Sequence, residues 1–352
     1  MTRTIPPLPA LAPRVLLRGS LEGLRRLGLA ALLVAVSAVL LVTVSGHDPV
    51  SAFRALVIGA FGSAGAIGAG LDRSTPYLLG GAGVALCFRA GVINIGAEGQ
   101  IAVGGLGATA AVLTWPVENP ALAIGAALLA GALAGAFWAG CAATLHLWRG
   151  VHEVLATLLL NFIALLLVQL LLAGPLGETG AGFLQSPSIP RAARLPLLLG
   201  TNTHGGLLLA LTAAAACSAL LWRTRFGFGL RVLGASRPAS RYAGFHTAGL
   251  VAAVMLLAGA LAGVAGAVEV LGLHRHLVEG FSLGFGFRAV TVALLGLLEP
   301  LAVVPAALFV GFLETGAQSM QRQVGVPSAL VIVLEGVTVM AVLAATRHRG
   351  RD

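Results

Sequence analysis

The chain has 352 residues, of which 58% are hydrophobic and 10% are charged, and its mean hydropathy is +0.96. Soluble domains carry about 25% charged residues, so this composition excludes an ordinary soluble protein and indicates a protein surrounded by membrane lipid. The net charge is +9, and all 22 basic residues are arginines. Few aromatic residues accompany these arginines and no recognised nucleic-acid motif occurs, so we expect no nucleic-acid partner.

The absence of lysine excludes two classes of protein. A Walker A loop places a lysine on the nucleotide phosphates, and a Schiff-base enzyme uses a lysine amine. With no lysine in the sequence, the chain is neither a P-loop ATPase nor an imine-forming enzyme. If ATP drives this protein, another subunit hydrolyses the ATP.

Ten apolar stretches are candidate transmembrane helices, because a helix needs about 20 apolar residues to cross a bilayer. In chain order they are 27–45, 74–90, 95–115, 120–147, 153–174, 204–222, 247–272, 286–298, 301–318 and 328–346. The second and the eighth are short, so the sequence predicts an all-α polytopic membrane protein with about ten spans, eight being the lower bound. No A-x-A cleavage site closes the first stretch, so we expect a retained anchor there.

The placement of the arginines predicts the orientation, since cytoplasmic segments carry the excess of basic residues. If the N-terminus is cytoplasmic, the inner segments collect 14 of the 22 arginines, namely Arg3, Arg14, Arg18, Arg25, Arg26, Arg149, Arg223, Arg225, Arg231, Arg237, Arg241, Arg347, Arg349 and Arg351. We therefore expect both termini inside. The domains are then a cytoplasmic tail at 1–26, a membrane domain at 27–346 with an external loop at 175–203 and a cytoplasmic loop at 223–246, and a cytoplasmic tail at 347–352.

The largely apolar run from Tyr77 to Thr114 is too long for one span. As a single helix it would extend about 57 Å at about 1.5 Å per residue, whereas the hydrocarbon core is about 30 Å thick. The run must break, and Gly91, Gly96 and Gly99 mark the position. A short, Gly-interrupted apolar segment indicates a broken helix at a transport site.

Polar residues occur within this interruption, where Asn94, Glu98 and Gln100 are candidates for contact with a polar solute. An alternative is that Arg89 and Glu98 form a structural ion pair. A second alternative is a plain cytoplasmic turn with its polar residues among lipid headgroups.

Further polar residues interrupt other apolar stretches, where charges are expensive and usually functional. Asn161 and Glu269 are candidates for the solute path, with Asn161 equally suited to hold helices together. Glu314 and Glu335 lie within predicted spans. The three cysteines form no metal-binding pattern, and we expect no metal site.

The loop at 223–246 contains the signals of a short helix. Ser236 suits an N-cap, Pro238 a first turn and Gly244 a C-terminal stop. Alanines recur every four residues as a narrow stripe, with Arg237 and Arg241 beside them. Such a helix suits insertion into a groove of a partner, the alternative being a simple basic tether.

Four stretches in this order and spacing resemble permease subunits of bacterial ABC importers in the branched-chain amino acid/ribose superfamily. They are FRAGVINIGAEGQ, VHEVLATLLLNFIA, FGLRVLGASRPASRYAGF and GAVEVLGLHRHLVEGFSLGFGF. The likeness covers roughly residues 50–345. Within the superfamily, the chain looks most like the nucleoside or simple-sugar permeases that work with basic-membrane-lipoprotein-type binding proteins.

The resemblance implies a multi-pass protein of the bacterial inner membrane that imports a nucleoside or a simple sugar and performs no bond chemistry. It implies a separate ATPase that holds ATP and Mg, a second permease that is a different chain, and an external solute-binding lipoprotein, with no cofactor on this chain. It places the stretch from Asn94 to Gln100 near the translocation path. The residues that it implies in the contact with the ATPase are Gly234, Ala235, Ser236, Ala239, Arg241, Tyr242, Ala243 and Gly244.

The sequence departs from this family pattern at two places. The coupling loop has SRPAS where many relatives carry an Asn-Pro-Glu-Ala-Ala-like run, so it lacks an acidic residue. Glu299 stands where relatives often have Arg or Asn. An ion-coupled secondary transporter of a small polar solute is the alternative function, with its coupling ion on intramembrane carboxylates.

Overall fold

The structure is a computed structural model that describes residues 13–198, 203–327 and 329–346. Within these ranges the chain forms α-helices and no β-strand, which confirms the predicted all-α class. The α-helices are α1 (Pro13–Val44), α2 (Pro49–Phe61), α3 (Ala64–Arg89), α4 (Ala97–Thr114), α5 (Pro120–Arg149), α6 (Glu153–Leu172), α7 (Gly206–Arg223), α8 (Arg225–Ala235), α9 (Arg237–Tyr242), α10 (Thr247–Val268), α11 (Phe285–Leu295), α12 (Val303–Val324) and α13 (Ala329–Thr346).

Parts of the predicted termini and of the predicted external loop lie outside the described residues. These parts are 1–12, 199–202 and 347–352. Among the arginines used to predict the orientation, Arg3, Arg347, Arg349 and Arg351 fall there. The described helices form two compact units. In one unit α1 packs against α13, and in the other α2 to α12 form the larger helical body that contains every candidate site residue.

Five helices of the described ranges are long and apolar enough to cross a membrane, namely α5, α6, α7, α12 and the stretch Thr247–His274 that contains α10. A sixth span results if Gly28–Val44 and α2 count as one broken span. The remaining predicted spans are helical too, but α3 and α4 do not meet the same criterion, and α11 and the described part of α13 are shorter. The confirmed result is a polytopic helical membrane protein, and ten crossings and the orientation stay predictions.

Two predicted spans have different bounds in the structure for identifiable reasons. Helix α3 begins at Ala64 rather than near residue 74, because Ser63 caps it by accepting a hydrogen bond from the Ala66 N–H at 3.1 Å. Helix α11 ends at Leu295 rather than 298, because Leu297 and Leu298 both have positive φ angles, which a helix cannot contain.

The centre of the larger unit consists of α4, α5 and α10, which approach one another through glycines. A Cβ atom on Gly104 of α4 would clash with the backbone of Gly263 in α10, and one on Gly135 of α5 would clash with the Gly259 carbonyl. Small residues that let helix backbones approach are typical of membrane helix packing.

The predicted cytoplasmic loop at 223–246 contains more structure than the sequence analysis assigned to it. Helix α9 is the short helix that the sequence predicts, but α8 precedes it as a separate helix of 11 residues. Thr224 caps α8 by accepting a hydrogen bond from the Gly227 N–H at 3.0 Å. Leu230 and Leu233 are buried on one face. The cap and this spacing were signals in the sequence for α8.

Candidate functional site

The apolar run from Tyr77 to Thr114 breaks where the sequence predicts. Helix α3 ends at Arg89, Gly91 has φ +70°, and α4 begins at Ala97 after the cap residue Gly96. We call residues 90–96 the break segment. The backbone groups that such a break frees survive in a membrane only beside protein or a water-filled cavity.

Asn94 supplies one part of the hydrogen bonding that the break segment needs. Its Oδ1 accepts hydrogen bonds from the Gly96 N–H at 2.8 Å and from Gln100 Nε2 at 3.2 Å. Its Nδ2 lies 3.3 Å from Gln100 Oε1. Both side chains are buried, so the two amides pair with each other and with the backbone at the start of α4.

Asn161 of α6 supplies a second part by bridging two backbone groups. Its Oδ1 accepts from the Gly99 N–H at 2.9 Å, and its Nδ2 donates to the Ile95 carbonyl at 2.9 Å. A Cβ on Gly99 would lie 3.0 Å from the Asn161 Cα, so glycine permits this close approach of α4 to α6. In this conformation Asn161 holds α6 to the break segment.

Glu98 links the first turn of α4 to the first turn of α11. Its carboxylate accepts hydrogen bonds from the Gly284 N–H at 3.1 Å and from the Gly286 N–H at 2.8 Å. A helix N-terminus favours a negative charge and has N–H groups without partners. A Cβ on Gly286 would clash with the Glu98 backbone. The suggested ion pair between Arg89 and Glu98 does not form.

Arg89 instead belongs to a polar cluster around Glu299, in the connection between α11 and α12. The Glu299 carboxylate accepts from Trp222 Nε1 at 2.8 and 3.0 Å, and Arg89 Nη2 lies 3.8 Å from Glu299 Oε2. Ser218 Oγ lies 3.2 Å from Glu299 Oε1. Arg231 of α8 stacks 4.5 Å above the Trp222 ring. We call these residues the Glu299 cluster.

The Glu299 cluster explains in physical terms why this chain has Glu299 at a position that departs from the family pattern. An acidic side chain at 299 matches the two arginines and the indole N–H of its surroundings. Neither Trp222 nor Arg231 was predicted to contact Glu299. Their sequence separation from Glu299 left no local signal for the contact.

The end of α8 packs directly on the break segment. A Cβ on Gly234 would clash with the Arg89 carbonyl, and a Cβ on Gly91 would lie 3.3 Å from the Gly234 Cα. Gly234 and Ala235 belong to α8 and not to α9. The backbones of Gly234 and of the break segment are in direct contact.

Helix α9 has the predicted cap. Ser236 Oγ accepts a hydrogen bond from the Ala239 N–H at 3.3 Å, and Gly244 has φ +81° just beyond the helix. The helix is six residues long. The side chains of Ala239, Arg241, Tyr242 and Ala243 are exposed, Tyr242 to 97%.

A second polar cluster joins the first half of α3 to α11 and α12. Its Arg73 lies about 24 Å from Arg89 along α3, at about 1.5 Å per residue. Tyr77 donates a hydrogen bond to Glu314 of α12, and Arg288 Nη1 donates to Glu314 Oε1 at 3.2 Å. Arg73 Nε lies 3.6 Å from the same oxygen. We call Arg73, Tyr77, Arg288 and Glu314 the Glu314 cluster.

Two buried groups border the Glu314 cluster. Asp72 Oδ1 accepts from the backbone N–H of His204 at 3.1 Å and lies 3.5 Å from His204 Nε2. Glu269 begins a π-helical segment, Glu269–His274, that continues α10. The side chain of Glu269 is 1% exposed, and neither of its oxygens has a hydrogen-bond partner among the described residues.

The five residues predicted for the solute path differ in their hydrogen bonding. Asn94, Gln100 and Asn161 lie at the break segment with Glu98, and all four use their polar atoms within the protein. Glu269 makes no hydrogen bond through its side chain with any described residue.

One stretch of the sequence matches a catalytic pattern that the structure does not support. Residues 280–284 read Gly-Phe-Ser-Leu-Gly, which fits the G-x-S-x-G pattern of serine hydrolases. The pattern is functional where the serine stands exposed on a turn between a strand and a helix. Here Ser282 is buried and follows the π-helical segment and its turn, so this match carries no enzymatic meaning.

Comparisons with known proteins cover nearly the whole chain. Residues 66–343 match the model of a family described as "Branched-chain amino acid transport system / permease component". A glucose ABC transporter permease protein of Haloferax volcanii is 35% identical over 327 residues, which are 89% of this chain and 84% of that protein. A guanosine ABC transporter permease protein of Bacillus subtilis is 34% identical over 328 residues, 90% of this chain and 92% of that protein. A nucleoside ABC transporter permease protein of Lactococcus lactis is 29% identical over 299 residues, 82% of each.

Proposed function

The chain belongs to the family of branched-chain amino acid transport system permease components, and from this premise we propose that it forms the translocation path for a nucleoside or a simple sugar in an ATP-driven importer. Members of this family are transport subunits rather than enzymes. The family and the apolar helices make the chain a multi-pass protein of the inner membrane.

One observation carries the choice of solute. The guanosine and glucose permeases share 34% and 35% of their residues with this chain over about nine-tenths of its length. Both solutes are neutral and rich in hydroxyl groups. A polar, uncharged solute agrees with the small number of charged side chains among the path candidates, which are Glu98 and Glu269.

The proposed partners are the other subunits that such an importer needs. A separate ATPase binds and hydrolyses ATP with Mg, since this chain has no lysine for a Walker A loop. An external solute-binding lipoprotein delivers the solute, and a second permease, a different chain, completes the core. This chain binds no cofactor of its own.

In the proposed mechanism, movement is transmitted from α9 to the break segment. The exposed face of α9, with Ala239, Arg241 and Tyr242, contacts the ATPase. Closure of the ATPase moves α9 and the attached α8, whose Gly234 rests on the backbone of Arg89. The break segment and the Glu299 cluster then carry the movement to α3, α4 and α11. The solute shifts the balance between two packed states through its different affinity for each.

The test is ATP hydrolysis by the purified assembly of this chain, its second permease and its ATPase in lipid vesicles. We expect that binding protein loaded with guanosine or glucose raises the hydrolysis rate several-fold over binding protein without solute. A matched assembly, whose ATPase lacks its Walker A lysine, controls for contaminating hydrolysis. If neither solute changes the rate, the proposed solute class is wrong, and if the chain does not assemble with an ATPase, the proposed importer is wrong.

A further inference from the structure

Glu269 differs from the other buried carboxylates of the larger unit that border these clusters. Glu98 accepts two backbone N–H groups, Asp72 accepts one, and Glu314 accepts from Tyr77 and Arg288. Both oxygens of Glu269 are buried, and no described residue donates a hydrogen bond to either. Buried polar groups in folded proteins nearly always have partners, so these two oxygens are available to accept hydrogen bonds from a molecule that is not part of the chain.

The backbone around Glu269 is irregular in a way that also indicates a functional position. Helix α10 changes at Glu269 from α-helical to π-helical geometry, and this geometry continues to His274. Short π-helical segments are rare and frequently occur at functional sites. The segment ends at Arg275, which has φ +59°. The irregular backbone and the unpaired carboxylate therefore coincide at one residue.

The groups around Glu269 restrict what the missing partner can be. Arg73 pairs with Glu314, and no described residue donates a hydrogen bond to Glu269. A metal ion is disfavoured because no three His, Cys, Asp or Glu residues in the described ranges are grouped as ligands. A carboxylate with both oxygens unpaired suits two neutral hydroxyl groups, since each oxygen accepts from one O–H group.

We propose that Glu269 binds a vicinal pair of hydroxyl groups on the solute during transport. This inference rests on the proposed function and adds the chemical group that the permease recognises. Nucleosides carry such a pair on the ribose ring, and hexoses carry several. One site for the diol would serve both classes of solute named for the relatives.

The geometry favours Glu269 over the other four path candidates. Asn94, Gln100, Asn161 and Glu98 would each have to break hydrogen bonds with the protein in order to bind a solute, whereas Glu269 would not. Glu269 is enclosed in this conformation. The solute therefore reaches it when the π-helical segment moves, as alternating access requires.

The experiment compares two solutes that differ in the diol alone. ATP-driven uptake of guanosine and of 2′,3′-dideoxyguanosine is measured in vesicles that hold the complete assembly, with binding protein saturated by each solute. Because the binding protein is a separate chain, a change in discrimination that follows a substitution in this chain comes from the permease. Glu269→Gln keeps the size of the side chain and removes its charge and one acceptor.

We expect Glu269→Gln to lower guanosine uptake about tenfold, because guanosine loses a hydrogen bond to a charged group. Dideoxyguanosine has no diol to lose this bond, so its uptake should change less than twofold. Glu269→Asp, which keeps the carboxylate, restores part of the preference for guanosine. Glu98→Gln is the matched control, because its carboxylate bonds only to protein groups in this conformation. We expect it to lower the uptake of both solutes by the same factor.

Two results would overturn the inference while the proposed function stands. In one, Glu269→Gln lowers the uptake of both solutes equally, and Glu269 is then a packing residue. In the other, both rates stay as in the wild type. If Glu269→Gln does not insert into membranes, Glu269→Ala, which also removes the carboxylate, decides, and an unchanged ratio of guanosine uptake to dideoxyguanosine uptake rejects the diol site. A wild-type assembly that takes up neither guanosine nor glucose with ATP refutes the proposed function, and the diol site with it.

Discussion

Two regions of the larger helical unit contain buried polar side chains, and they differ in how those side chains are paired. At the break segment, Asn94, Glu98 and Asn161 bond to the backbone groups of neighbouring turns. Around α3, the Glu314 cluster is paired, whereas Glu269 has no hydrogen-bond donor among the described residues. We propose that the first region holds the shape of the helices and that Glu269 binds the solute.

This contrast leads to a general expectation for substitutions. Changes at the break segment should affect folding or coupling in the same way for every solute. Changes at Glu269 should depend on which solute is carried. A substitution at the break that altered solute preference, or one at Glu269 that acted on all solutes alike, would remove the distinction.

The largest effect is expected at Gly286, where α11 approaches α4 most closely. In Gly286→Ala the added methyl group clashes with the Glu98 backbone, and neither helix can give way without losing the two hydrogen bonds at Glu98. We expect no folded protein by size-exclusion chromatography in detergent. Gly125→Ala in α5 is the control, because a Cβ there meets nothing within 4 Å. Normal folding of Gly286→Ala would contradict the close approach of α4 and α11.

The next effect concerns the exposed face of α9. We expect the double variant Ala239→Glu, Arg241→Glu to abolish solute-stimulated ATP hydrolysis and uptake, because two acidic side chains replace a small residue and a cation on the proposed contact with the ATPase. Membrane insertion and thermal stability should stay unchanged, since both residues are exposed. Arg149→Glu, also exposed, serves as a control for charge alone. Retained coupling in the double variant would remove α9 from the contact.

A smaller effect is expected for Asn161→Ala, which leaves the Gly99 N–H and the Ile95 carbonyl without their side-chain partner. The loss of two buried hydrogen bonds should lower the free energy of unfolding by about 2–4 kcal/mol. Thermal unfolding in detergent measures it. Gln169→Ala, at an exposed position of the same helix, should change stability little, and an equal loss in both variants would count against a special role of Asn161.

The smallest effect is expected for Trp222→Phe in the Glu299 cluster. Phenylalanine keeps an aromatic face for Arg231 and removes the N–H that donates to Glu299. We expect a destabilisation of about 1–2 kcal/mol and a severalfold fall in solute transported per ATP hydrolysed, because α8 is less firmly tied to the α11–α12 connection. If the amount of solute transported per ATP hydrolysed is unchanged, the Glu299 cluster does not take part in coupling.

The sequence was sufficient for features that depend on neighbouring residues. The break between α3 and α4 follows from the excess length of the apolar run and from its glycines, and the cap of α9 follows from Ser236 and Pro238. The sequence was insufficient where the partner is distant along the chain. Glu98 bonds to Gly286 across 188 positions, and nothing local to Glu98 indicates that its carboxylate caps another helix. The roles of the predicted site residues stay predictions.

The central claim is that this chain moves a solute with energy supplied by another subunit. The most direct measurement is accumulation of labelled guanosine or glucose in vesicles that contain the assembly, first with ATP and no ion gradient, and then with a proton or sodium gradient and no ATP. We expect accumulation above the external concentration only in the first condition. Accumulation driven by the gradient alone, by this chain without an ATPase, would contradict the account.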